Sequence, residues 1–308
     1  MKKTSVICMI MVLLIGCSSQ KTEDKLILTS FYPIYIATLN VTGDIPGIQV
    51  VNMTPSQTGC LHNYQLTPSD AGRIEKASVL VVNGGGMESF LDKAVSLNEK
   101  LLLLNASTEI EFMHVKGDHH EEEHKCEDHD HIHHHHHHHE INAHVWVSIS
   151  NAIKQVNTIA EGLAQWDSAN SAQYKENAES YIQKLKLLKE KMHRELDSLS
   201  DRTIVTFHDA FPYFAREFGL DVAAVIAQEP GSEPSAAELI GLVKTIREKN
   251  VKALFVEPQY VSSTARTISR ETGMSLYTLD PVATGPLHKD AYLEIMERNL
   301  KILKDALE

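Results

Sequence analysis

Histidine supplies the chemistry that stands out in this chain of 308 residues. Thirteen of its 18 histidines fall between His114 and Glu140. The densest part, HIHHHHHHHEINAHVWVSI, starts at His131 and runs into a solitary His144. Four more stand apart: His62, His193, His208 and His288. Neutral imidazole is the commonest protein ligand for transition metals, and its charge changes near neutral pH. Three imidazoles converging from distant parts of a chain suit zinc. They can form a closed binding site or, with water in the fourth position, a hydrolytic centre. Neither H-E-x-x-H nor C-x-x-C is present, so no familiar protease or cysteine-type zinc motif accounts for them.

The isolated histidines differ in setting. His62 sits in TGCLHNYQLTPSD, a loop between a strand and a helix, and His144 sits in INAHVWVSISNA. His208 in TIVTFHDAFPYF directly follows a strand, as do Asp280 in SLYTLDPVATG and Glu257 in ALFVEPQY. Open α/β sheets bind ligands outside the carboxyl ends of their strands. Polar strand ends in the second half could therefore face His62 and His144 across a cleft. A histidine after a strand is more often a satisfied structural group, and Asp280 before Pro281 also suits a plain turn, so position alone leaves the site open. His193 lies among charged helical residues and His288 precedes Lys289 and Asp290; both read as solvated surface groups.

Positioning such residues takes a regular scaffold. KLILTSF, IQVVNM, SVLVVNG and KLLLLN read as strands in the first half, and TIVTF, VAAVI, KALFVE and SLYTL in the second. Helices alternate with them, at PIYIATLNVTG, LTPSDAGRIEKA, MESFLDKAVS, DAFPYFAREFG, TARTISRETG and the C-terminal AYLEIMERNLKILKDALE. Thr67 with Asp70, and Ser235 with Glu238, carry capping-box spacing. Between the halves run NAIKQVNTIAEGLAQW and a stretch of about thirty residues without Gly or Pro, which as a helix reaches roughly 40 Å. The expected class is α/β: two domains with four-stranded sheets, at 26–150 and 201–308, joined through a helical region at 151–200. The run Asn83-Gly84-Gly85-Gly86 fits neither GxGxxG nor GxxxxGK[ST], so nucleotide binding is not expected there.

Formal charge is −12 and no basic stripe occurs, which excludes a nucleic-acid partner. Lys2, Lys3 and the apolar Val6–Ile15 form a leader too short to span a bilayer. The following Leu14-Ile15-Gly16-Cys17 resembles a bacterial lipoprotein signal. This implies a signal peptide at 1–16, an acylated Cys17, a polar tether at 17–25, and residence on the extracytoplasmic face of a membrane in the cell envelope. Cys60 and Cys126 could pair in an oxidising compartment or stay as thiols near metal.

The motifs TSFYPIY, HNYQLTPSD, VVNGGGMESFLDK, AHVWVS, TFHDAFPYFAREFGL, EPSAAEL, FVEPQY and LDPVATG resemble, in order, those of the metal-specific solute-binding proteins of bacterial ABC transporters. More narrowly they resemble the zinc-uptake branch. The resemblance implies two α/β domains joined by a rigid helix, with one metal in the cleft between them. It implies the ligands His62, His144, His208 and Asp280, an ABC-transporter membrane permease as partner, a monomer, and no enzymatic activity. Manganese-type relatives tend to carry a carboxylate where this chain has His208; three imidazoles suit zinc, while Mn²⁺ favours oxygen. Tetrahedral geometry with Zn–N of about 2.0–2.1 Å is expected, the fourth position being Asp280 or water. Glu257 is expected to support a ligand or to replace one. The chain departs from the family's common P-H pattern. Leu61 precedes His62 and Cys60 lies two residues back, which leaves the Cys60 sulfur as an alternative ligand.

The histidine-rich segment 114–140 carries eight Asp or Glu and little apolar content, so it is expected to be a disordered loop. Its His119, His120, His124, His129, His131, His133, His134, His135, His136, His137, His138 and His139 would each bind metal weakly, because ordering the segment costs entropy. Tethered beside the cleft, they would raise the local Zn²⁺ concentration around one tight site. The alternatives are a binder of manganese or another divalent metal within the same family, a zinc hydrolase, and a metal buffer or adhesin dominated by the loop.

Overall fold

The computed structural model describes residues 25–61, 63–96, 98–114, 141–227, 234–249, 251, 253–259 and 263–308. The leader with Cys17, the residue His62, and the segment 115–140 with Cys126 lie outside them.

Apolar runs of four to seven residues become parallel strands because each is covered by helices. β1 (Lys25–Thr29), β2 (Ile48–Asn52), β3 (Val79–Val82) and β4 (Leu102–Asn105) form one sheet in the order β2-β1-β3-β4. Leu28 in β1 lies opposite Val51 on one side and Leu80 on the other. β5 (Met113–His114) and β6 (Ile141–Asn142) make a short antiparallel pair at the base of the histidine-rich segment, so His114 belongs to a strand rather than to the loop. β7 (Thr203–His208), β8 (Asp221–Ala227), β9 (Ala253–Val256) and β10 (Ser275–Thr278) repeat the first topology in the order β10-β9-β7-β8. In each sheet the chain first steps to one side and then returns to the other. The loops leaving the first and third strands therefore diverge, and a crevice opens at their carboxyl ends.

The helices are α1 (Tyr32–Thr42), α2 (Pro68–Lys76), α3 (Asp92–Val95), α4 (Ile149–Trp166), α5 (Ser171–Leu196), α6 (Pro212–Phe218), α7 (Ala236–Glu248), α8 (Ser263–Thr272) and α9 (Ala291–Leu307). Both capping boxes form. Thr67 and Asp70 exchange bonds of 2.9 and 3.2 Å, and Ser235 and Glu238 bonds of 2.6 and 3.3 Å. MESFLDKAVS is less helical than expected: a 3-10 turn at Ser89–Leu91 runs into the single turn of α3. The glycine run before it is structural. Gly84, Gly85 and Gly86 all have positive φ, and the buried Glu88 carboxylate accepts the N–H groups of Asn83 and Gly84 at 2.7 and 3.0 Å.

The helical region breaks at Asp167, where the 3-10 turn Ser168–Asn170 separates α4 from α5. The 26 residues of α5 extend about 39 Å. One stripe of it, including Tyr174, Ala178, Tyr181, Leu185, Leu188 and Met192, is buried at helical spacing. The stripe belongs to a single core that reaches Ile27 and Val81 of the first sheet and Ile204 and Phe255 of the second. The two lobes thus share one packed interior. Leu185→Ala, at a fully buried position, should cost about 2–5 kcal/mol, read from the midpoint and slope of urea denaturation. Polar contacts pin the lobes further: Trp146 Nε1 donates to Pro281 O at 2.7 Å, and Tyr32 Oη to Pro286 O at 2.9 Å.

Candidate metal centre

β7 and β9 are neighbours at the switch point of the second sheet. Their carboxyl ends therefore deliver His208 and Glu257 side by side. His208 Nδ1 lies 2.8 Å from Glu257 Oε1, with both side chains buried. A carboxylate only accepts, so in this pair Nδ1 is the donor and Nε2 is the ring nitrogen able to coordinate a metal.

His144 is oriented in the same way by another acceptor. Asn142 Oδ1 lies 3.0 Å from both the backbone N and the Nδ1 of His144. The amide cannot flip, because its Nδ2 donates to Asp209 O at 2.8 Å and to Asp209 Oδ2 at 3.0 Å. Burial pushes the Asp209 carboxyl up, and the bond from Asn142 pulls it back. Asn142 O accepts from Tyr213 Oη at 2.7 Å, and Tyr213 Oη accepts from the Met113 N–H at 2.7 Å. The first-lobe histidine is thereby locked onto the loop that follows β7 in the second lobe. The two imidazoles meet edge to face, 4.8 Å between centroids.

Cys60 completes the group. It is a free, buried thiol on the loop after β2. One ligand atom from each of Cys60, His144 and His208 lies within 4.8 Å of the other two. Burial pushes the thiol well up, and the charges of Glu257 and Asp280 add to the shift. Asp280 stands at the edge and is not one of these three mutually close ligands among the described residues. Its N–H donates to Asn299 Oδ1 at 2.9 Å, and its Oδ1 accepts from the Val282 N–H at 2.8 Å. Val282 has φ +58°, a left-handed conformation that costs a β-branched residue about 1–3 kcal/mol and is found where a site constrains the chain. Burial raises the Asp280 carboxyl to about 6; the Val282 N–H and Arg298 oppose this, and Glu257 adds to it. A carboxyl raised by burial and by a second acidic side chain at the end of a crevice forms a site whose electrostatics call for a cation.

Of the residues singled out in the sequence, His144 and His208 come together, Cys60 joins them, Glu257 backs His208, and Asp280 borders the group. His62 lies outside the described residues. Asn142 and Asp209 were not anticipated; the signal for Asn142 is its place two residues before His144, the spacing of an Asx turn. His193 is only partly solvated, packing on Phe218 at 4.9 Å beside Asp197, whereas His288 is exposed next to Glu294.

Residues 27–306 match the family described as zinc-uptake complex component A, periplasmic (ZnuA). The chain belongs to that family. ZnuA proteins are solute-binding components of an uptake system rather than enzymes. The chain is 33% identical to the high-affinity zinc uptake system protein ZnuA of Bacillus subtilis, over 97% of this chain and 95% of that protein. It is 30% identical to the zinc-binding lipoprotein AdcA of Streptococcus pneumoniae serotype 4; here all of this chain spans 62% of the relative's length. Among solved structures, the solute-binding protein FpvC of Pseudomonas aeruginosa in complex with Mn²⁺ superposes with a TM-score of 0.77 at 30% identity, covering 92% of this chain and 98% of that one. A Mn²⁺ complex on this fold, beside relatives named for zinc, means that the fold alone does not decide the ion.

Proposed function

We propose that this chain is a high-affinity, extracytoplasmic Zn²⁺-binding protein that captures the ion and delivers it to an ABC permease for import. The observation that carries the reading is the convergence of two buried imidazoles, each with Nδ1 fixed by an acceptor, at the carboxyl ends of strands between two lobes. Imidazole donors favour zinc over manganese. In this reading His62 supplies a further imidazole and Asp280 borders the ion or binds it. Glu257 holds the His208 ring in orientation through Nδ1. The zinc-uptake name of one relative and the zinc-binding name of the other support the cargo, and the lipoprotein name of AdcA supports an anchor at Cys17. The mature chain is then a monomer of two domains, roughly 26–150 and 201–308, held to the membrane by lipid, with 115–140 as an auxiliary collector of weakly bound ions.

The β5–β6 pair supplies a clean test. His114 and Ile141 are cross-strand partners, so residues 115–140 can be replaced by Asn-Gly, a two-residue hairpin turn. Titrated with zinc against a chromophoric chelator, the shortened protein should keep one tight site and lose the weak ones. Loss of the tight site with the insert would overturn the proposal in favour of a loop-based buffer.

A further inference from the structure

We infer that Cys60 is itself a ligand to the bound cation, so that the centre holds one sulfur beside its imidazoles and selects thiophilic divalent ions. The inference rests on the proposed metal-binding function and deepens it. A buried cysteine is ordinarily a small apolar filler. Cys60 differs in what it faces: its sulfur belongs to the same close group as ligand atoms of His144 and His208. The preceding Gly59, at φ +79°, gives the loop the left-handed turn from which the thiol enters the site.

The dimensions fit. Tetrahedral zinc with Zn–N near 2.0–2.1 Å and Zn–S near 2.3 Å sets its ligand atoms roughly 3.3–3.7 Å apart. Atoms already within 4.8 Å of one another lie within about 1.5 Å of that spacing. On binding, the S–H bond breaks and a sulfur–metal bond forms; the proton leaves to solvent, so the centre gains a single positive charge from the dication instead of two. A thiolate strengthens binding of Zn²⁺, Cd²⁺ and Co²⁺ and contributes little to Mn²⁺, a hard ion suited to oxygen.

The test is the absorption spectrum of the full chain loaded with one equivalent of Co²⁺. A thiolate-to-cobalt charge-transfer band is expected in the near ultraviolet, unchanged in Cys126→Ser and absent in Cys60→Ser, which keeps the weaker visible bands of histidine-bound cobalt. The preference for Cd²⁺ over Mn²⁺ should fall at least about tenfold in Cys60→Ser. X-ray absorption at the zinc edge of the unsubstituted protein needs no variant and should show a sulfur scatterer near 2.3 Å. A tight site that His208→Ala abolishes, but that shows neither band nor sulfur scatterer, overturns the role of Cys60 and leaves the histidine centre standing. A band that survives in Cys60→Ser overturns it too. The absence of any tight ion removes the metal-binding reading and this one together.

Discussion

His208→Ala should raise the zinc dissociation constant about a thousandfold, roughly 4 kcal/mol, while the weak binding of the histidine-rich segment persists. The size follows from where the residue sits. His208 ends a central strand, is fully buried, and has its ring fixed by Glu257 at 2.8 Å, so no neighbouring side chain can swing into its place. Its removal takes away a nitrogen donor and also leaves the buried Glu257 Oε1 without the Nδ1–H bond it accepts, and a buried polar group left unsatisfied costs about 1–3 kcal/mol. The variant should therefore melt earlier than the parent even without metal. Competition titration measures the first effect and calorimetric unfolding of the metal-free proteins the second. A tight site unchanged in His208→Ala would place the ion elsewhere and end the argument for this centre.

Much of this was legible in the chain because local chemistry and global packing agree. VLVV could only be a strand buried on both faces, and Thr67-Pro68 with Asp70 could only start a helix where one begins. His208 and Glu257 were visible as strand ends, and parallel neighbours bring such ends together. Harder to read were features that depend on how the lobes meet. Asn142 holds His144 only because its amide is turned by Asp209, which lies 67 positions away in the other half. Trp146 pins the loop of His144 to the carbonyl of Pro281, next to Asp280, across 135 positions. The break between α4 and α5 falls where the sequence already divides into two helical stretches; what fixes it there is Asp167, held by Lys25 at 2.8 Å and by Asn170 and Tyr174. Cys60 lies in a stretch with no period, so its sulfur could be placed near metal only as an alternative.

Asp280→Asn should act with opposite signs on the metal-free and the metal-bound protein. Burial, with the charge of Glu257 adding to it, raises this carboxyl from 3.8 to about 6 in the folded state. The native protein therefore holds the proton more tightly than the unfolded chain does. Stability from this group is complete below the unfolded value near 4 and is lost as pH climbs through about 6. At pH 7 the ionised side chain costs about 3 kcal/mol by this shift. Asparagine removes that charge while its Oδ1 can still accept the Val282 N–H bond. Metal-free Asp280→Asn should thus be more stable than the parent at pH 7 by about 1–3 kcal/mol, with the gap closing as pH falls from about 6 to 4. Zinc changes the sign: beside a dication the carboxylate is favourable, so the variant should bind more weakly and gain less thermal stability from saturating metal. Unfolding curves at several pH values, with chelator and with zinc, separate the two. A gap that ignores pH would show that Asp280 carries no excess charge cost, and a variant unchanged in zinc affinity would show that its charge does not serve the ion.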